Sequence, residues 1–545
     1  MRRIYSFSLI SLVAVMCLAA LFPSCTPQDK QVVILFTNDT HSQIDPLDSS
    51  HKDYPGMGGV ERRKALIDSL RAVYPHLLLV DAGDAVQGTP YFNIFGGEIE
   101  TVAMNAMGYN VRTLGNHEFD NGMEALAAML TSCNAVTVST NYDLANTTVR
   151  DIVKSSTICD AGGVKIGFIG LNVQPAGLID PSRCTGMTYT NPLAVADSAA
   201  KALHEQGADF VVALSHLGYD DENNTGEPVD SVVVANTRYI DLVIGGHSHT
   251  LLQPPSRFLN RDSNEIVIAQ TGKSGAYLGF ASITIPADKS RSPQVEYRLL
   301  PVDSRYDNRI DPAFAARLDD YRHTVDSLMR VVIGSSKCDM EVLKPESRLT
   351  NWVCDAFVTI ASERTGKPVD FAIVNTGGVR ADIKKGDITR GDLFTAFPFD
   401  NYLSVVTLRG KEVKELFDII ALRGGEGVSR EVKLNIQENK VGSLTINGKG
   451  IDENRLYTIA TLDYVANGGD KMKPFTRAEK RTDYPDTVRE MLEAYIARLS
   501  SQGQSIDARL DHRITVEQIY SPSKNIISWH LFSAVSSQGR FPAIK

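Results

Sequence analysis

The sequence predicts an α/β protein with two domains, and three observations lead to that fold class. The chain has 545 residues, 43% of them hydrophobic, which is too long for one ordinary domain and too apolar for a disordered chain. Short runs rich in Val and Ile, such as VVILFT and HLLLV, alternate with stretches of helical periodicity such as GVERRKALIDSLRAVY. Strand, helix, strand repetition is typical of a layered α/β domain. Several of these predicted strands end in polar residues, and loops that follow parallel strands collect at one edge of a sheet.

Residues 1–25 have the pattern of an export signal rather than of a folded segment. MRR is basic, IYSFSLISLVAVMCLAALF is apolar, and PSC places a small residue before Cys25. LFPSC resembles a bacterial lipobox, which would make Cys25 the lipidated first residue of the mature chain, although Phe22 stands where an aliphatic residue is usual. An uncleaved membrane anchor is the alternative, because the apolar run is close to spanning length.

Charge and cysteine content exclude some classes of protein. The net charge of −9 and the pI near 5.7 disfavour binding to a nucleic-acid polymer, which needs a basic face. A small anionic substrate is compatible with this charge if cations or a few arginines receive it. The five cysteines after Cys25 are scattered without a CxxC pair, so neither a disulfide framework nor a zinc finger is indicated.

A helix is predicted between the two halves of the chain. DPAFAARLDDYRHTVDSLMRVV, residues 311–332, has apolar positions at helical spacing after an Asp-Pro start. We expect it to link the two domains; the alternative is that it is simply the last helix of the first domain.

Five predicted strands of the first half end in metal-ligating or proton-carrying side chains. These are Asn38, Asp39 and His41; Asp81 and Asp84; Asn116, His117 and Asp120; His216; and His247 and His249. Because strand ends converge at one sheet edge, this set could surround two divalent metals with one bridging carboxylate. Carboxylate, imidazole and carboxamide ligands suit Mn, Zn, Fe, Mg or Co. Two metals about 3.5 to 4 Å apart are the arrangement that clamps a phosphoryl group.

The motifs NDTH, GDAVQG, GNHEFD, SHLG and GGHSH, followed by NTGGVR, FPFDN and YVANGGD, resemble the 5'-nucleotidase family of calcineurin-like metallophosphoesterases. The resemblance implies a four-layer α/β/β/α sandwich, a linking helix and a second, α+β substrate-binding domain. The expected divisions are the export signal at 1–25, the catalytic domain at 30–308, the linking helix at 309–332, the second domain at 333–520, and a tail of unknown role at 521–545.

The resemblance also implies roles for the residues of the first domain. One metal would be held by Asp39, His41, Asp84 and His249, and the other by Asp84, Asn116, His216 and His247. His117 would face the substrate instead of a metal, with Asp120 three residues later orienting its imidazole. This dyad would stabilise the transition state and assist the leaving alkoxide.

In the second domain the resemblance implies a set of residues that grip the substrate. Arg380 would bind phosphate, Phe399 and Tyr464 would sandwich the nucleobase, Asn375 would bond to the base, and Asp470 would accept from ribose hydroxyls. Stacking is tolerant of base identity. Relatives usually carry another Arg shortly before the next helix, and here only Lys344 or Arg348 stands near that place.

Three functional hypotheses follow. The first is an exported 5'-nucleotidase that releases phosphate from nucleoside monophosphates, with UDP-sugars or nucleoside di- and triphosphates as further substrates. The second is a 2',3'-cyclic phosphodiesterase with 3'-nucleotidase activity, and Asp120 favours the first over it. The third is an inactive nucleotide-binding surface protein, which would have lost a metal ligand, and none is lost. We expect a periplasmic or cell-surface lipoprotein of a bacterium, touching the membrane only through its N-terminal lipid.

Overall fold

Two six-stranded sheets packed face to face form the first half of the chain. The computed structural model describes residues 28–49, 51–176, 178–219, 226–288 and 291–517, so the export signal with Cys25 and the tail at 521–545 lie outside the described residues. The first sheet has the order Gln294–Pro301, Tyr277–Ile285, Lys30–Thr37, Leu78–Asp81, Val111–Thr113, Val136–Val138. The second has the order Ser256–Leu259, Glu265–Ala269, Leu242–Gly245, Phe210–His216, Lys165–Asn172, Ser156–Asp160.

The inner strands of both sheets are parallel, and antiparallel strands pair only toward the edges. Parallel strands are covered on both faces, which is why they are apolar throughout rather than alternating. Ile34 and Phe36 of the first sheet share one core with Phe168 and Phe210 of the second. The sheets therefore pack directly on each other.

Helices cover the outer face of each sheet and complete four layers. Leu35 of the first sheet packs in a core with Met104 of a covering helix, and Ile169 of the second sheet does so with Leu203. The helices are Val60–Arg71, Pro90–Phe95, Glu98–Met107, Gly122–Ser132, Pro192–Glu205 and Asp230–Asn236, and a small strand pair joins Tyr142–Asp143 to Thr188–Tyr189.

The helix between the two halves spans Pro312–Met329, three residues shorter at its C-terminal end than predicted. Asp311 caps its start by accepting from the backbone N–H groups of Ala313 and Phe314. It ends early because Val332 begins a strand, Val332–Ser336, that pairs with Gly386–Thr389 of the second half. Its buried side chains lie in the outer core of the first sheet, and it also packs against the helix Arg390–Ala396 of the second half.

The second half has its own continuous core around a mixed sheet. The sheet has the order Gly427–Val428, Phe371–Val374, Leu456–Leu462, Tyr402–Arg409, Lys480–Thr487. Three further strands, Lys440–Ile446, Val432–Gln437 and Ile514–Glu517, form a small sheet beside it. The helices are Arg348–Thr365, Arg390–Ala396, Gly410–Leu422, Asp463–Ala466 and Val488–Ser501. The predicted α/β fold class with two domains is confirmed.

The helices of the described ranges are all too short or too polar to cross a bilayer.

Glu118 fixes the loop after Leu78–Asp81 to the loop after Val111–Thr113. Its buried carboxylate accepts from the backbone N–H groups of Asp84 and Ala85 at 3.0 Å each and from that of Gly115. Arg112, whose side chain is 1% exposed, donates to the same carboxylate at 2.7 Å. One side chain thus accepts from three backbone donors and pairs with a buried guanidinium, which holds two strand-end loops in place.

Replacing Glu118 by Ala should destabilise the protein strongly, because it leaves Arg112 buried without its charge partner. Removing one member of a buried ion pair costs about 3 to 5 kcal/mol, measurable as a lower free energy of unfolding in urea. The matched control is Asp151→Ala, which breaks the exposed pair with Arg150 and should change that free energy by less than about 1 kcal/mol. Equal effects of the two substitutions would contradict the role assigned to Glu118.

Candidate metal centre and active site

The polar strand ends meet at one place, as the sequence predicts from the topology. The backbone N–H groups of Asp39 and His41 donate to the carbonyls of Gly83 and Asp84 at 3.0 and 3.1 Å, so the first two strand-end loops lie side by side. Five of the predicted ligands have left-handed backbones: Asp39, His41, Asp84, His247 and His249, with φ from 48° to 72°. Such conformations are strained for residues other than glycine and occur where the surrounding structure enforces them, often at functional sites.

Asp39, His41 and His249 form the first of two groups that could hold a metal. One ligand atom of each lies within 4.8 Å of the others. The Nε2 atoms of His41 and His249 are 2.9 Å apart, and Asp39 Oδ1 lies 3.8 and 3.6 Å from them. Burial lowers the pKa of His41 to about 4 and that of His249 to about 2, so both imidazoles are neutral near pH 7. Two neutral imidazole nitrogens and a carboxylate facing one point suit a divalent cation.

Asp84, His216 and His247 form the second group. His216 Nδ1 donates to the Ala82 carbonyl at 2.8 Å, which turns its Nε2 toward Asp84 Oδ2 at 3.1 Å. Burial opposes the charged form of His216, but the Asp84 and Asp39 carboxylates outweigh burial and raise its pKa to about 10. A metal would compete with that proton for the same lone pair. Nδ1 bonding to a backbone carbonyl is the usual way in which a metal-binding histidine is oriented.

Asn116 and Asp84 complete this centre. Asn116 Oδ1 lies 3.1 Å from His247 Nδ1, so a neutral oxygen joins the second group. Asp84 Oδ1 accepts from the His117 N–H at 2.9 Å. The glycine of GNHEFD is required here, because a Cβ on Gly115 would lie 2.0 Å from Asp84 Oδ1. The donors present therefore fit divalent metal ions.

His117 and Asp120 form the predicted dyad. The short helical turn His117–Phe119 places His117 Nδ1 2.9 Å from Asp120 Oδ2. Although burial opposes its charged form, Asp120 and Asp84 raise the pKa of His117 to about 9. The imidazole can thus carry a proton at neutral pH, beside the metal ligands rather than among them, with its ring 5.6 Å from that of His41.

Phe399 of the second domain lies on the dyad. Its ring is stacked on His117 with centroids 5.9 Å apart and planes 25° from parallel, and the Arg380 guanidinium lies 5.2 Å from the centroid of the Phe399 ring. First-domain side chains hold the loop that carries Phe399: Gln87 Nε2 donates to the Pro398 carbonyl at 3.3 Å, and Asn93 Nδ2 to Asp400 Oδ1 at 3.2 Å. The domains therefore meet at the metal centre.

The other predicted substrate residues lie beyond Phe399. Asn375 Nδ2 donates to Asp470 Oδ2 at 2.6 Å. Gly469 packs so closely on the Tyr464 ring that a Cβ there would be 2.5 Å from it. Asp470 and Tyr464 are also electrostatic neighbours of Arg380, whose pKa is lowered by burial. All five predicted substrate residues therefore belong to one region.

Lys344 and Arg348, the two candidates for another phosphate clamp, are both engaged with carboxylates. Lys344 Nζ is 2.8 Å from Glu426, and Arg348 Nη1 is 3.0 Å from Glu341. Arg423, which was not predicted from the sequence, also lies in this region, with Nη2 3.4 Å from Asp470 Oδ1. A single Arg after an amphipathic helix carries no motif, so the sequence offered no signal for it.

Comparisons with known proteins agree with this architecture. The model of the calcineurin-like phosphoesterase family matches residues 32–251, and that of the 5'-nucleotidase C-terminal domain matches residues 332–477. A 5'-nucleotidase of Diplobatis ommata is 26% identical over 559 residues, covering 94% of this chain and 95% of that protein. The trifunctional nucleotide phosphoesterase protein YfkN of Bacillus subtilis is 26% identical over 554 residues, covering 90% of this chain, which spans only 35% of that longer protein.

A solved structure shares the two-domain arrangement. The crystal structure of a 5'-nucleotidase precursor from Thermus thermophilus is 27% identical, with a TM-score of 0.73, and the match covers 89% of this chain and 99% of that one. Two family models in the expected order, together with relatives that match both halves, identify the chain. It belongs to the 5'-nucleotidase family of calcineurin-like metallophosphoesterases.

Proposed function

We propose that this protein is an exported phosphomonoesterase that hydrolyses nucleoside 5'-monophosphates to nucleoside and phosphate. UDP-sugars and nucleoside di- and triphosphates are further substrates in this proposal. The observation that carries it is the contact between Phe399 and His117, because it brings an aromatic ring able to stack on a base next to the metal-ligand groups. The names of the relatives, a 5'-nucleotidase and a nucleotide phosphoesterase, support the same substrate class.

The proposed metal ligands form two overlapping sets. Asp39, His41, Asp84 and His249 hold one ion, and Asp84, Asn116, His216 and His247 hold the other. Two bound divalent ions supply Lewis acidity and lower the pKa of water. The neutral imidazoles of His41, His247 and His249, whose pKa values are lowered by burial, support this assignment because metals bind the unprotonated ring.

His117 and Asp120 are proposed to handle the leaving group. With Nδ1 donating to Asp120 at 2.9 Å, the Nε2 side of the ring is left to donate a hydrogen bond to a phosphate oxygen or to the departing ribose oxygen. A positioned acid of this kind contributes about 10²- to 10⁴-fold to the rate. Asp120 fixes the tautomer and the orientation of the ring.

The second domain is proposed to hold the nucleoside. Arg380 is assigned to the phosphate, because its guanidinium lies against the Phe399 ring that is stacked on His117. Phe399 and Tyr464 grip the base, Asn375 bonds to it, and Asp470 accepts from ribose. Base stacking contributes about 1 to 3 kcal/mol with little selectivity, which favours activity on both purine and pyrimidine nucleotides.

The proposed organisation follows the sequence. Residues 1–25 direct export with lipid attachment at Cys25, residues 30–308 form the catalytic domain, and residues 309–332 connect it to the substrate domain at 333–520. The tail at 521–545 is given no role. The protein would then act in the periplasm or at the cell surface of a bacterium, and the word precursor in the name of the Thermus neighbour is consistent with export.

Asp84→Asn should weaken the binding of at least one metal and remove most of the activity, because the carboxylate assigned to both metal sites loses its charge. Metal content is measured by mass spectrometry after dialysis, and turnover with 4-nitrophenyl phosphate is expected to fall at least about a thousandfold. Asp262→Asn, at an exposed carboxylate paired with Arg238, is the matched control and should keep both metals. Unchanged metal content and turnover in Asp84→Asn would refute the shared-ligand assignment.

Phosphate release by the chain starting at Thr26 should be metal-dependent and selective for 5'-nucleotides. AMP, UMP, UDP-glucose, ATP, 3'-AMP and 2',3'-cyclic AMP are compared with manganese and with EDTA. The cyclic and 3' compounds are also tested with added phosphomonoesterase, which reveals silent ring opening. We expect AMP and UMP to be hydrolysed and the cyclic and 3' compounds to react poorly. The opposite order would favour the alternative, a 2',3'-cyclic phosphodiesterase with 3'-nucleotidase activity.

A further inference from the structure

A chain of alternating charges runs through the second domain to Asp470. Lys344 Nζ lies 2.8 Å from Glu426 Oε1, Arg423 Nε donates to the same oxygen at 2.8 Å, and Arg423 Nη2 lies 3.4 Å from Asp470 Oδ1. The members come from positions up to 126 residues apart in sequence, so only the fold brings them together. The proposed function gives no role to Lys344, Arg423 or Glu426.

Glu426 anchors this series of ion pairs. Its side chain is fully buried, and its other oxygen accepts from the Thr376 N–H at 2.6 Å. Despite burial, the bonds from Lys344, Thr376 and Arg423 hold the pKa of Glu426 below its usual value. Because Thr376 adjoins Asn375, a single carboxylate anchors both Arg423 and the loop that carries Asn375.

Asp470 is therefore held from both sides. Asn375 donates to its Oδ2 at 2.6 Å, and Arg423 lies 3.4 Å from its Oδ1. Its backbone is left-handed, with φ 53°, so the carboxylate orientation depends on these two neighbours rather than on a relaxed local backbone. An ionised carboxylate can accept about four hydrogen bonds, which leaves acceptor capacity on both oxygens of a side chain that is 20% exposed.

The position of Asp470 relative to the metal centre indicates which part of a nucleotide it meets. The stacked series runs from His117 to Phe399 and then to Arg380, and Asp470 is a charged neighbour of Arg380. A phosphate at the metal ligands would thus place the sugar and the base toward Asp470. Two acceptor oxygens held in a fixed plane match a vicinal diol.

We propose that Arg423 and Glu426 are positioning residues that orient Asp470 to accept from the 2'- and 3'-hydroxyls of ribose, and so set a preference for ribonucleotides over 2'-deoxyribonucleotides. The inference rests on the proposed function, since it assigns a specificity to the same site. The residues act through Asp470 and do not touch the reacting phosphate.

The test compares AMP, 2'-deoxy-AMP and 4-nitrophenyl phosphate as substrates of the wild type, Arg423→Met, Arg423→Lys and Glu426→Gln. We expect Arg423→Met to lower kcat/KM for AMP about tenfold, mainly through KM. Without Arg423 the Asp470 carboxylate is no longer held in position to accept hydrogen bonds from the ribose hydroxyls. The values for 2'-deoxy-AMP should fall less, by about threefold, because only the bond to its 3'-hydroxyl is there to be weakened, and 4-nitrophenyl phosphate, which has no sugar, should be unaffected. Arg423→Lys should restore part of the preference, and Glu426→Gln should lose part of it.

Arg498→Met is the matched control, because Arg498 makes an exposed pair with Glu363 at 2.9 Å and should leave the ratio of AMP to 2'-deoxy-AMP unchanged. Equal losses for the two nucleotides in Arg423→Met, or an unchanged ratio, would overturn the inference. Failure of the proposed function has a different signature, because the wild type would then hydrolyse 4-nitrophenyl phosphate but neither nucleotide.

Discussion

The rest of this structure depends on one constraint, which is the burial of two carboxylates, Asp39 and Asp84, among the four imidazoles of the metal-ligand groups. Burial raises the pKa of Asp39 to about 7, whereas the surrounding histidines, His216 first among them, outweigh burial and hold the pKa of Asp84 well below its usual value. Such a cluster is expensive to bury without cations. Five loops deliver their side chains to one small volume. This crowding accounts for the left-handed backbones at the ligand positions and for the close approach of Gly115, which has no Cβ, to Asp84. Glu118 contributes by tying two of these loops together.

One loop of the second domain, residues 397–401, reaches that centre. Arg489, almost fully buried, donates to the carbonyls of Phe397 and Phe399 at 2.7 and 2.8 Å and pairs with Asp400. Asp400 in turn accepts from Asn93 of the first domain. The aromatic ring over His117 is therefore held by both domains at once. A small change in their relative orientation would move Phe399 against the dyad, so the geometry for substrate is a property of the pair of domains rather than of either one.

The sequence predicted that the polar strand ends meet at one place, but it did not predict the charged neighbours of Asp470. Strand ends could be identified because Val- and Ile-rich runs stop at Asp39, Asp84 and His216, and parallel topology then forces those positions together. The role of Arg423 could not be predicted, because its partner Asp470 lies 47 residues away in the sequence. Sequence periodicity does not indicate that the end of a helix will lie beside a distant left-handed turn. The linking helix was predicted three residues too long because helical spacing continues to Val332, whereas pairing with Gly386–Thr389 makes that residue a strand. Tertiary pairing overrides local propensity at such positions.

The difference between the net charge of the whole chain and the charges inside the site explains how an acidic protein can receive an anionic substrate. The net charge of −9 is spread over the whole chain, and at physiological ionic strength a charge is screened within about 8 to 10 Å. Only the nearest groups therefore set the potential that a phosphate meets. The cationic side chains among those groups include His117, whose pKa is raised to about 9 by Asp120 and Asp84 against the effect of burial, and Arg380, which lies against Phe399. In the proposed arrangement these cations lie at the phosphate end and Asp470 lies beyond them, which would orient a nucleotide in one direction.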